Sequence, residues 1–126
     1  MSSQYRVLKN VKTGQIILAR TRWCASFWSK FRGLQFVFHL PEDEGLLFVS
    51  DAESRTATSI HMFFMFFSIG VVWLDRQGKV VDMCYAKPWR PMYVSKKPAQ
   101  YFIEANPSIL ERVKIGDRLS FEEVAA

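Results

Sequence analysis

Between Ile60 and Asp75 the chain reads IHMFFMFFSIGVVWLD, apolar almost throughout and without a charge before Asp75. A segment of this kind must be buried in protein or in lipid, and its length decides between them. A membrane-spanning helix needs about 20 predominantly apolar residues, whereas Asp75 and Arg76 end this run earlier, with Gly70 inside it. Period alone does not separate a continuous apolar run from a buried helix. Composition does, because Phe63, Phe64, Phe66, Phe67, Ile69, Val71, Val72 and Trp73 are aromatic or β-branched, and Ala, Glu and Lys are absent. We read two strands, broken near Ser68 or Gly70, with a turn at Asp75-Arg76-Gln77-Gly78 and a partner strand from Lys79 to Ala86. This is the expected core hairpin, and strands apolar on both faces need cover on both.

The rest of the chain supplies that cover. Tyr5 to Leu8 and Gln15 to Ala19 flank Asn10-Val11-Lys12-Thr13-Gly14 and read as an opening hairpin. Thr21 can cap a helix in which Trp23, Phe27 and Phe31 recur every four residues, with Gly33 at its end. A short apolar segment, Leu34 to Leu40, leads to the acidic turn Pro41-Glu42-Asp43-Glu44-Gly45. Gly45 to Val49 suits a strand, whereas Ser50 to Ser59 is polar without a consistent period and reads as a loop. Pro88-Trp89-Arg90-Pro91 ends the partner strand of the core hairpin, since prolines remove backbone donors. Gln100 to Glu104 is a further strand, Asn106-Pro107 opens a second short helix that stops before Gly116, and Arg118 to Phe121 is the last strand.

The expected fold is mainly β: a compact antiparallel β-sandwich or small barrel with two short helices, residues 1–126 forming one domain. With 49% hydrophobic and 15% aromatic residues the chain has ample material for a core. MSSQYRVLKN does not resemble a signal peptide and no segment suits a membrane anchor, so a cytoplasmic location is expected. Cys24 and Cys84 lack CxxC spacing and are expected as reduced thiols.

Laid out in order, these segments resemble the domain of unknown function 192 family. Arg32-Gly33-Leu34 is similar to that family's RGL element, Gly45-Leu46-Leu47-Phe48 to its GMLF strand, and His61, Phe64 and Met65 lead into a strand ending on Leu74-Asp75, as in the family pattern. Lys87-Pro88-Trp89-Arg90, Ile103-Glu104 and Gly116-Asp117 resemble later elements. The resemblance implies a compact, mostly β fold and carries no established activity. The chain departs from the pattern at Phe66 and at Ile69-Gly70, where many members have polar side chains including an Ile-Asp pair. It also has Asn106-Pro107-Ser108 where the family has a small, often glycine-containing segment.

The charge of +5 is unevenly distributed. No acid occurs before Glu42, and a second acid-free stretch runs from Met83 to Ile103, where Lys87, Arg90, Lys96 and Lys97 alternate with Tyr85, Trp89, Tyr93 and Tyr101. Cations that track phosphates and rings that stack on bases are what a single-stranded nucleic-acid surface uses, and the same pattern describes a solvated basic face over core aromatics. Only His39 and His61 are available as catalytic bases, and no GxSxG-type signature accompanies them. A hydrolase-type enzyme would use His61 with Cys24 or Cys84. His61 and Met65 with the cysteines lack metal-ligand spacing, so no metal or cofactor is expected. The leading reading is a non-enzymatic module that binds a small polar ligand or a protein partner, with Arg32, His61, Trp89, Arg90 and Glu104 as candidate ligand-binding residues.

Overall fold

In a computed structural model the described residues are 5–24, 41–55, 58–60, 62, 66–90 and 92–123. The expected helix end at Gly33, the segment Leu34 to Leu40, and the candidates Arg32 and His61 lie outside them. Among the described residues the strands are β1 (Tyr5–Asn10), β2 (Ile16–Cys24), β3 (Glu44–Ser54), β4 (Ile69–Leu74), β5 (Val80–Ala86), β6 (Ala99–Ala105) and β7 (Leu119–Glu123). A 3-10 helix, Pro107–Glu111, lies between β6 and β7. No α-helix occurs among the described residues, and none of their helices is long and apolar enough to cross a membrane.

The strands form one sheet in the order β5-β4-β6-β3-β2-β1-β7. This corrects two expectations: there is a single sheet in place of a sandwich, and it is mixed, because β2 and β3 pair in parallel. The sheet curls into a half-barrel until its edge strands meet at one corner. There Val80 donates to the Asp117 carbonyl at 2.8 Å, Gly116 donates to the Val80 carbonyl at 2.9 Å, and Lys79 bridges Arg118. Edge strands present unpaired backbone groups, and this corner satisfies several of them.

Local chemistry explains the turns. Gly14 and Gly78 take φ of 76° and 81°, where a side chain is strained. The Asp75 carboxylate accepts from the backbone N–H of Gln77 at 2.9 Å and Lys79 at 3.0 Å, which sets the β4–β5 turn. Asn106 caps the 3-10 helix by accepting from Ser108 N–H at 3.0 Å, with Pro107 in the first turn.

Three assignments change. Of the two strands read between Ile60 and Asp75, only Ile69–Leu74 is a strand among the described residues; Ile60 makes an isolated bridge to Tyr93, and residues 66–68 lie outside any strand. Thr21 to Cys24 continue β2 and do not start a helix. All four pair with β3 and the first two also with β1, Arg22 standing opposite both Tyr5 and Leu46, and Trp23 packs edge-on against Phe121 with ring centroids 5.9 Å apart. Phe27 and Phe31, the other members of the four-residue spacing, lie outside the described residues. Ser50–Ser54 belongs to β3, where a register shift between Val49 and Ser54 breaks the alternation and hides the strand from a period-based reading.

Each sheet face carries its own apolar cluster. Leu8, Leu18, Leu47, Val72, Leu74, Val80, Ile103 and Leu119 line the inside of the curl, closed by Ile109 and Val113 from the helical segment. Phe48, Ile69, Val71, Trp73 and Phe102 lie on the outer face, covered by Ile60, Met62 and Tyr93. β4 is buried along its whole length, as its composition requires.

Candidate functional site

Strand register places a polar line on the outer face. Tyr5 lies opposite Arg22, Arg22 opposite Leu46, Leu46 opposite Glu104, Glu104 opposite Val71, and Val71 opposite Cys84. Directly opposed residues share a face. Glu104 therefore sits between Leu46 and Val71, two positions along β6 from Phe102, whose ring stacks on Phe48 at 4.7 Å. Among the described residues no hydrogen bond or ion pair engages its carboxyl. Desolvation raises its pKa from 4.5 to about 7, although the residue is only partly buried. Near neutral pH the group therefore exists in both forms, as a hydrogen-bond donor and as an anion.

At one end of the same line is a cleft of about 230 Å³ lined by Tyr5, Arg20, Arg22, Pro41, Glu44, Gly45 and Leu46. Residues two apart on β2 point the same way, so Arg20 and Arg22 both project from this face. The Arg20 guanidinium lies 4.1 Å from the centroid of the Tyr5 ring, and its Cα partner on β3 is Glu44. The cleft thus presents guanidinium, phenol and carboxylate groups beside an apolar floor.

A strap crosses the outer face at its other side. Ile60 and Tyr93 exchange backbone hydrogen bonds at 2.9 and 2.8 Å, Met62 donates to Arg90 at 2.9 Å, and Trp89 donates to Met62 at 2.8 Å. Trp89 takes φ of 65°, an uncommon conformation for a bulky non-glycine residue, and is 47% exposed. Its indole meets the Phe66 ring edge-to-face at 5.8 Å, while the Arg90 guanidinium lies 5.8 Å from the Tyr93 ring centroid.

Of the sequence candidates, Trp89 and Arg90 are neighbours on the strap, and Glu104 lies on the sheet face whose apolar cluster the strap covers. Tyr5, Arg20 and Arg22 escaped the sequence reading. The signal for them was the alternation Arg20-Thr21-Arg22, masked by assigning a helix to begin at Thr21. Asp75 and Asp117 have turn roles, Asp117 accepting from Lys114 N–H at 2.9 Å. The Cys84 thiol is pushed up to about 11 by desolvation and the nearby Asp82, so it holds its proton and makes a poor nucleophile. No group of three or more His, Cys, Asp or Glu side chains among the described residues converges on a metal-sized site.

Comparison with known proteins places the chain. The family profile described as DUF192, Uncharacterized ACR, COG1430, matches residues 8–121. The chain belongs to this family. UPF0127 protein TK1120 of Thermococcus kodakarensis is 39% identical over 114 residues, covering 89% of this chain and 71% of that protein. UPF0127 protein PF1050 of Pyrococcus furiosus is 38% identical over 117 residues, covering 91% and 97%. A crystal structure from Sinorhizobium meliloti, described as a putative transcription regulator, superposes with a TM-score of 0.81 at 21% identity over 95% of both chains. A protein of unknown function from Novosphingobium aromaticivorans gives 0.78 at 16%, over 92% of this chain and 83% of that one. At those identities the likeness is one of fold.

The structure also gives Gly70 a packing reason. An added Cβ at Gly70 would lie 2.7 Å from Ile109 Cγ2 and 3.2 Å from Leu110 Cγ. Both belong to the 3-10 helix that Asn106-Pro107 opens. In this chain the bare position on β4 leaves room for the 3-10 helix to seat. Position 70 faces the inner cluster, on the opposite side of the sheet from the polar line through Arg22 and Glu104.

Proposed function

We propose that this DUF192 member is a non-enzymatic binding module whose ligand is a small polar molecule with an anionic group, held on the outer face of the sheet. The observation that carries this reading is the cleft of about 230 Å³ in which Arg20, Arg22, Tyr5 and Glu44 converge at the end of the line leading to Glu104. Paired guanidinium groups suit a carboxylate or phosphate, to which each can make bidentate hydrogen bonds. Glu44 and Glu104 add acceptors for donor groups on the same ligand, and Leu46 contributes apolar contact. The volume accommodates a metabolite-sized fragment, below the roughly 300–1,000 Å³ usual for drug-sized ligands. Trp89 and Arg90 remain candidates at the strap side of the face.

Native mass spectrometry of the purified chain, followed by thermal-shift screening of small carboxylates and phosphates, tests the reading. A ligand that raises the melting temperature of the wild type, and loses most of that effect in Arg20→Ala and Arg22→Ala, is the expected result. A full panel without effect, or a shift that both variants retain, would overturn it.

A further inference from the structure

We infer that the strap around Trp89 is a stacking platform for single-stranded nucleic acid. The starting observation is exposure. Phe66, Trp89 and Met92 are large apolar residues with about half or more of their surface in solvent, and Phe66 and Trp89 touch each other. Isolated exposed apolar residues are ordinary. A Trp held at positive φ is not, because such a backbone conformation costs about 1–3 kcal/mol and persists only when its surroundings impose it. Here the Trp89 to Met62 and Met62 to Arg90 backbone bonds impose it, and Phe66 buttresses the indole edge-on. The ring is thus fixed in place before any partner arrives, which lowers the ordering cost of stacking a base on it.

Charge selects the partner. The acid-free stretch from Met83 to Ile103 carries Lys87, Arg90, Lys96 and Lys97, and among the described residues no ion pair neutralises any of these side chains. The neighbouring acid, Asp82, is committed to the backbone N–H groups of Met83 and Lys96. The other acid-free stretch differs, since Arg6 pairs with Glu123 at 3.5 Å and Lys9 with Glu122 at 2.8 Å across the β1–β7 ladder. The basic N-terminal strand is therefore partly neutralised, and the strap is not. Along the strap, cation and ring alternate: Lys87, Trp89, Arg90, with Tyr93 under the Arg90 guanidinium and its hydroxyl accepting from Lys87 N–H. Cations beside stacking rings are what a single-strand binding surface combines. Insertion into a lipid surface would instead use a continuous apolar face with charges on the opposite side.

The test is fluorescence anisotropy of labelled single-stranded DNA and RNA of about twelve nucleotides with the full chain at about 50 and about 200 mM salt. Expected are binding at low salt, an affinity loss of roughly tenfold or more at the higher salt, and a further loss of about tenfold in Trp89→Gly, which tolerates positive φ while removing the ring. Circular dichroism checks that this variant folds. If it does not, the paired Lys87→Ala and Arg90→Ala substitutions must flatten the salt dependence. Absence of binding at low salt overturns the inference, as does binding that duplex DNA matches or that these substitutions leave unchanged. Binding to phosphatidylserine vesicles without oligonucleotide binding would assign the strap to a membrane surface and equally overturn it.

Discussion

The two faces of one curled sheet have been built to different standards. The inner face is apolar and sealed: strand residues from β1 to β7 meet Ile109 and Val113, and Gly70 is bare so that the 3-10 helix can seat. Two buried polar residues of β1 and β2 also lie on this face: Asn10, which accepts turn hydrogen bonds, and Thr21, whose hydroxyl has no hydrogen-bond partner. The outer face is apolar too, yet it carries an acid on its central strand, arginines at one end and a strained indole on its strap. Apart from the Thr21 hydroxyl, stability explains the first face. It does not explain the positive φ of Trp89 or the desolvated carboxyl of Glu104, each of which costs free energy in the unliganded protein. Local features that cost stability are the places where a binding role is expected.

The contrast can be broken most severely from the inside. Gly70→Asp should cost about 3 kcal/mol or more in urea unfolding by driving a carboxylate into Ile109. Adding Ile109→Ala should recover part of that loss, because the two sites are in contact and their effects are not additive. Full additivity would show that the helix seat is not the cause.

Glu104→Gln probes the outer face with the next largest effect and the opposite sign. The folded-state pKa of about 7 lies above the ordinary glutamate value of 4.5. The native state therefore holds a proton that the unfolded chain has lost between those values, and wild-type stability should fall as pH rises through that window. Below it the carboxyl is protonated in both states and nothing is lost. Above it the penalty is complete, at most about 3 kcal/mol and less after allowance for partial exposure. The Gln variant should lack this slope and exceed the wild type above neutral pH, as thermal melts across pH would reveal. A wild type whose stability is flat over the window would mean that the carboxyl is well solvated or paired.

Thr21→Val should stabilise by about 1–2 kcal/mol in the same unfolding assay, by removing an unsatisfied hydroxyl at little change in shape. Destabilisation would show that the hydroxyl has a partner. Smallest is Trp89→Gly, whose stability should stay within about 1 kcal/mol of wild type, because relief of the positive φ offsets the lost Phe66 contact. A much larger loss would make the strap aromatic an architectural element.

Most strands were legible because their signals are local. β4 and β5 follow from an apolar run and an Asp-to-Gly turn, the opening hairpin from Asn10 to Gly14, and the 3-10 helix from Asn106-Pro107. The errors arose where a local rule met a non-local partner. β2 extends past Thr21 because β1 and β3 flank it, and β3 extends past Val49 through a register shift against β6. The candidate site suffered from the same cause. Trp89, Arg90 and Glu104 stand out by residue type, whereas Arg20 and Arg22 join them only through the extension of β2 to Cys24 and its pairing with β3.

By itself, then, the sequence determined that this chain builds a mainly β core around Ile69–Leu74, where its turns fall and which family it resembles. Each of these depends on residues close in the chain. Tertiary structure alone decided that there is one mixed sheet, that Gly70 faces Ile109, and that Arg22, Leu46, Glu104 and Val71 form one line across four strands. The reason is register: which side chain stands opposite which is set by pairing between distant segments, and a shift of one residue would move every member of that line to the other face.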